Sequence, residues 1–120
     1  MKRRALLVSW LLFWVAPGAA FAAPGEPPEP PTDLKGVKRF KGAVATTELT
    51  WKDRSDNELG FEILRSDSGS EFRVVGIVGA NSSRYKDEIG KYVTGAFSYR
   101  VRGFNQNGKG KTSNTVSLLF

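Results

Sequence analysis

Residues Trp51–Ser66 read WKDRSDNELGFEILRS. An apolar run ends at Trp51, a polar cluster of Asp, Ser and Asn follows, and Phe61 and Ile63 then alternate with Glu62 and Leu64. Turn-forming residues between two alternating runs mark a strand, a turn and a second strand. Phe97–Asn105, FSYRVRGFN, alternates in the same way over a longer span. Working outward, short strands are expected at Leu34–Val37, Val44–Trp51, Phe61–Arg65, Phe72–Val78, Ser83–Asp87, Ala96–Asn105 and Thr115–Leu119. Gly, Asn, Asp and Ser separate them, and Thr32 to Phe120 contains no proline. No window carries an apolar stripe at helical spacing. The fold class that follows is all-β: a seven-stranded, immunoglobulin-like antiparallel sandwich.

The first residues are read differently. Lys2, Arg3 and Arg4 precede the uncharged apolar run Ala5–Val15, Pro17 and Gly18 break it, and Ala20-Phe21-Ala22 supplies small residues for a cleavage site. This is the pattern of a secretory signal peptide over residues 1–22, with an uncleaved anchor as the competing reading. Residues 23–31 hold five of the six prolines and form a Pro-rich leader, expected to be an extended spacer. The domain proper is expected over residues 32–120, in a protein exported to the periplasm or outside the cell.

The whole chain carries a formal charge of +6, and loss of Lys2, Arg3 and Arg4 leaves +3. A nucleic-acid reading needs a dense basic patch, which this balance does not supply. There is no Cys, so neither a disulfide nor a lipoprotein anchor is available, and there is no His. The usual general base, thiolate nucleophile and zinc ligands are therefore missing. The inventory argues against an enzyme and against a cofactor or resident metal.

Several motifs in order resemble a fibronectin type III domain of the bacterial secreted kind. They are the Pro-rich entry PPTDLKGV, the strand ending at Trp51 with Asp53 and Ser55–Glu58, the run Gly60–Ile63 with Arg65, the segment SRYKD at Ser83–Asp87, and Phe97–Asn105 with Gly108. The resemblance covers about Pro31 to Phe120. It implies two antiparallel sheets, three strands against four, and no catalytic site. It also implies a corner tyrosine where Phe97 stands. Phe97 has no hydroxyl, and the loop Gly90–Gly95 lacks the family's Leu-x-Pro, so a looser corner is expected there.

Trp51 reads as a core residue, with a sugar-stacking platform as the alternative. Asp53, Asp56, Asn57 and Glu58 read as turn chemistry, with a calcium cluster as the alternative. Alternation along the sixth strand puts Arg100, Arg102 and Phe104 on its outer face, with Leu64 expected beside them. That mixture of guanidinium, aromatic and aliphatic groups suits a partner-binding surface, against the plainer reading of a solvated sheet face. The polar loop Asn105–Lys111 adds Asn107, Lys109 and Lys111 as candidate contacts. The function expected is a non-catalytic module making protein–protein contact at the cell envelope or outside the cell. Glycan binding, with Tyr85, Tyr92 and Phe104 as its candidate aromatics, and a purely structural role are the alternatives.

Overall fold

The computed structural model describes residues 25–120; the expected signal peptide lies outside the described residues. Among the described residues the short alternating runs become eight strands. They are β1 (Thr32–Lys41), β2 (Val44–Lys52), β3 (Gly60–Asp67), β4 (Arg73–Gly79), β5 (Arg84–Lys91), β6 (Ala96–Asn105), β7 (Gly108–Lys109) and β8 (Val116–Leu119). One sheet has the order β1-β2-β5, and the other β4-β3-β6, with β7 and β8 both pairing with β6. Every pairing is antiparallel. The count exceeds the expected seven because the segment expected as the loop Asn105–Lys111 contributes the two-residue strand β7, while the expected last strand is β8.

Strand limits differ where turns decide them. β1 runs on to Lys41 because Gly42, at φ 59°, closes a tight hairpin that pairs Lys41 with Val44. A glycine takes that left-handed conformation without steric penalty.

The core lies between the sheets. Leu34, Leu49 and Trp51 from one sheet meet Phe61, Ile63, Phe97, Tyr99 and Val101 from the other. Trp51 is buried and packs edge-to-face on Phe61 at 5.8 Å, as a core residue does. Each such side chain contributes about 1.5–3 kcal/mol by leaving water. Alternation along β6 is strict: Phe97, Tyr99, Val101, Gly103 and Asn105 are buried, and the residues between them face outward.

A polar network joins the two sheets inside this core. The Tyr99 hydroxyl donates to Asp87 Oδ2 at 2.7 Å and lies 3.0 Å from Thr47 Oγ1. Arg65 Nη1 donates to Asp87 at 2.9 Å, and its Nε and Nη2 donate to Asp67 at 2.6 and 3.1 Å. Burial pushes the Tyr99 hydroxyl up, so it stays a donor. Asp67 is held below the ordinary carboxylate range by Arg65 first and by Arg73 beyond it.

The Pro-rich leader, expected as an extended spacer, lies against the sandwich. Pro28 and Pro31 are buried. Pro28 fills the niche beside Gly103 and Gly110, where an added Cβ at Gly103 would come within 2.9 Å of the proline ring. The Glu26 carbonyl accepts hydrogen bonds from Asn57 Nδ2 at 3.1 Å and Asn105 Nδ2 at 3.0 Å. The segment 26–31 is thus a docked strap, and the packed domain begins before residue 32. Two side-chain amides and two glycines without Cβ atoms hold it there.

The corner before β6 is also tied by other means than a tyrosine hydroxyl. Gly95 and Phe120 exchange backbone hydrogen bonds at 2.9 and 3.1 Å, and Ser68 N donates to Ala96 O at 2.7 Å. Phe97 packs edge-to-face on Phe120 at 5.5 Å with the Arg65 guanidinium over its ring.

Candidate functional site

The outer face of the larger sheet is built by β4, β3, β6 and β7. Alternation in β6 turns Ser98, Arg100, Arg102 and Phe104 outward, each half-buried. The register sets Arg100 opposite Leu64, Arg102 opposite Glu62 and Phe104 opposite Lys109. Residues directly opposite in an antiparallel pair share a face. Glu62 therefore meets two cations, Arg102 Nε at 2.9 Å and Lys109 Nζ at 3.3 Å. Burial alone would raise the Glu62 carboxyl, but the two cations hold it below the ordinary range.

Arg100 is placed differently. Its guanidinium stacks on the Phe72 ring, 4.1 Å from the centroid, and its Nε donates to Thr115 Oγ1 at 2.8 Å. Beside it, β4 carries a bulge where the register shifts between Ile63 and Leu64. The bulge turns Val75 inward, so that Val74 and Ile77 both face out on this sheet, 41% and 62% exposed.

Of the residues expected at the site, Arg100, Arg102, Phe104 and Lys109 share this face. Leu64 does not offer a surface: it is only 5% exposed. β3 is an inner strand, and Leu64 sits in register between Arg100 and Val74 on its two neighbours. Asn107 is exposed at the tip of the β6–β7 hairpin, and Lys111 lines a groove with Pro27, Pro28, Pro30 and Lys109. The loop itself is a tight hairpin in which Asn105 pairs with Gly108 and Asn105 Oδ1 accepts from Asn107 N at 2.8 Å. The polar loop expected here is therefore partly an anchored turn. Glu62, Phe72, Val74, Ile77 and Thr115 were missed. The apolar run FRVVGIV was visible, but a bulge that redirects two of its side chains leaves no mark in the residue pattern.

The Asp53–Glu58 cluster performs turn chemistry. Asp53 Oδ1 accepts from Ser55 N at 3.0 Å, and Glu58 accepts from Ser55 Oγ at 2.8 Å and from Asn81 N at 3.0 Å. Burial pushes Asp53 up. It opposes the backbone and hydroxyl donors at Glu58 too, but there they prevail and hold that carboxyl down. Among the described residues no three carboxylates converge as metal ligands do. The three aromatics considered for glycan stacking do not form a row. Tyr85 packs against the core with its hydroxyl donating to Val75 O, Phe104 is half-buried, and Tyr92 alone stands free, at 84% exposed.

No family model and no curated protein matches the sequence. Solved structures do match the architecture. A Fn3-like protein from Clostridium thermocellum superposes with a TM-score of 0.58 at 24% identity, over 73% of this chain and 88% of that one. The fold is that of a fibronectin type III domain. Titin domains A168–A170 match this fibronectin type III fold with a TM-score of 0.59 at 18% identity, over 76% of this chain and 31% of theirs. A β-1,2-glucanase from Parabacteroides distasonis matches with a TM-score of 0.62 at 19% identity, over 86% of this chain and 14% of the enzyme. The chain thus spans less than a third of the titin fragment and a smaller part of the glucanase. The likeness is one of fold, and fold alone assigns neither a role nor a site.

Proposed function

We propose that this fibronectin type III-fold chain is an exported, non-catalytic interaction module. It makes protein–protein contact at the cell envelope or outside the cell through the outer face of its larger sheet. The observation that carries the reading is the pairing of exposed Val74 and Ile77 with Arg100 and Arg102 on one continuous face. Arginine is among the residue types that carry binding energy at contacts, and exposed aliphatic groups on the same face add apolar area for a partner to bury. The absence of His and Cys supports a non-catalytic role, and the segment 1–22 supports export. The scattered positions of Tyr85, Tyr92 and Phe104 give the glycan alternative no stacking platform.

Photo-cross-linking tests the reading. A photoreactive residue at Ile77 should trap a discrete envelope or extracellular protein, and the same residue at Thr50, exposed on the other sheet, should not. Equal trapping at both positions, or none at Ile77, would remove the face from consideration. N-terminal sequencing of the exported form should begin at Ala23; a sequence starting at Met1 would place the chain on an uncleaved anchor.

A further inference from the structure

We propose that Arg100 is a preorganised receptor for a single carboxylate, and that the partner of this face is an acidic, extended protein segment with aliphatic side chains beside its carboxylate. The inference rests on the docking-face reading above and names the partner's chemistry.

The argument begins with what holds Arg100. The Phe72 ring, 4.1 Å below the guanidinium carbon, and the Nε–Thr115 hydrogen bond hold the guanidinium from two sides. The two terminal nitrogens have no hydrogen-bond partner among the described residues, and no carboxylate of those residues lies within ion-pair distance. Residues 1–24 contain no Asp or Glu that could supply one. Neighbouring arginines are not in this state: Arg102 is paired with Glu62, Arg73 with Asp67, and Arg65 with both Asp67 and Asp87. A guanidinium held in place, with its fork open, has already lost the side-chain freedom that binding would otherwise remove. The fork matches the two oxygens of a carboxylate.

The surroundings select the class of partner. Arg100, Arg102 and Lys109 face one anion, Glu62, which leaves two net positive charges on the face. That is enough for one or two carboxylates, and far from the dense patch that a polyanion or an anionic bilayer needs. A sugar acid would look for an aromatic face to stack on, but the Phe72 ring is already covered by Arg100. The remaining contacts, Val74 and Ile77, are aliphatic and exposed. Val74 lies across β3 from Arg100, two strand spacings or roughly 10 Å away. Side chains on one side of an extended segment recur every ~7 Å, so with a carboxylate on Arg100 an aliphatic group two residues along falls about 3 Å short of the Val74 position, a gap within the reach of a leucine-sized side chain.

The test uses the chain 23–120 and a capped hexapeptide Ser-Glu-Ser-Leu-Ser-Leu, whose one glutamate and two leucines share a side when extended, with its glutamine counterpart and polygalacturonate as controls. Binding is followed by NMR, reading the Arg100 Nε–H and the Phe72 ring. The glutamate peptide should shift both signals and weaken with salt, and the glutamine peptide should bind about tenfold more weakly, the loss of one charge-assisted pair. Arg100→Lys keeps the charge but loses fork and stacking, and should also weaken binding about tenfold. Phe72→Leu should weaken it with the fold intact by circular dichroism, and Arg84→Lys on the other sheet should change nothing. Equal binding of the glutamine peptide, a neutral Arg100→Lys, or stronger binding of polygalacturonate through Arg100 would each overturn the inference. Cross-links at Ile77 that persist in Arg100→Lys would leave the docking face standing and remove only the carboxylate receptor. Peptide binding at Arg100 without any cross-link at Ile77 would do the reverse.

Discussion

Arg65, Asp87, Tyr99 and Thr47 come from four strands and two sheets, and each depends on the others for its buried polar atoms. Tyr99→Phe removes one donor yet leaves Asp87 its Arg65 partner, so the expected cost is about 1–2 kcal/mol. Arg65→Met is different in kind: it leaves a buried Asp87 without its counter-charge and should cost on the order of 3 kcal/mol or more. Urea denaturation of the two variants checks the ranking; equal losses would mean that the ion pair is no more than a hydrogen bond. Each of these residues stood in a motif read from the chain, Arg65 after Gly60–Ile63 and Asp87 in SRYKD, but their convergence did not. Alternation says that Arg65 and Tyr99 point the same way, and it takes the facing of two sheets to bring Asp87 between them. Leu64 makes the same point in reverse. Its spacing placed it on the outer face, correctly, but the inner position of β3 buried it there.

At the scale of elements, the strap 26–31 is the clearest case of packing overriding local preference. Polyproline stretches are stiff and extended whether free or docked, so their composition carries no sign of docking. The sign lay in Gly103 and Gly110, where an added Cβ would meet Pro28, and in the two asparagines that hold Glu26 O. A Cβ at Gly110 would collide with the Pro28 carbonyl, a backbone atom that cannot swing aside. Gly110→Ala should therefore dislodge the strap, and the side-chain amide signals of Asn57 and Asn105 should then shift in NMR while the strand amides stay protected from exchange. A chain starting at Thr32 should lose on the order of 3 kcal/mol, the burial of two prolines. Unchanged stability of that truncation would return the segment to the role of a spacer. Edges tell a related story. β4 is an outer strand with a bulge, and the Val75 carbonyl there accepts from the Tyr85 hydroxyl at 3.4 Å. β1 carries Lys35, Lys38, Arg39 and Lys41, and Lys38 Nζ reaches Leu119 O at 2.5 Å. Charges and bulges of this kind discourage strand addition from another chain.

For the whole molecule, acid stability is set by carboxylates that the fold has tuned. Glu62, Asp67 and Glu58 are all held below their ordinary values, so each binds fewer protons folded than unfolded in acid. Their contribution is complete above the ordinary glutamate value of 4.5 and is lost as pH falls through the lower folded values. Asp53 is raised and works in the opposite direction, but it is one group against three. The urea midpoint should be flat from about pH 7 to 5 and fall steadily below about pH 4.5, and Glu62→Gln should shallow that fall. A midpoint that rose on acidification would reverse the sign of the argument. By itself the sequence determined the all-β class, the strand positions to within a few residues, Trp51, Phe61, Ile63 and the inward side of β6, because period-two alternation and turn residues are local properties of a chain. Only the tertiary structure decided which polar groups meet: the network across the sheets, the docked strap, the burial of Leu64, and the open fork of Arg100 on Phe72. Those depend on register, on one bulge and on which strand is an inner one, and none of the three is written in the spacing of residues along the chain.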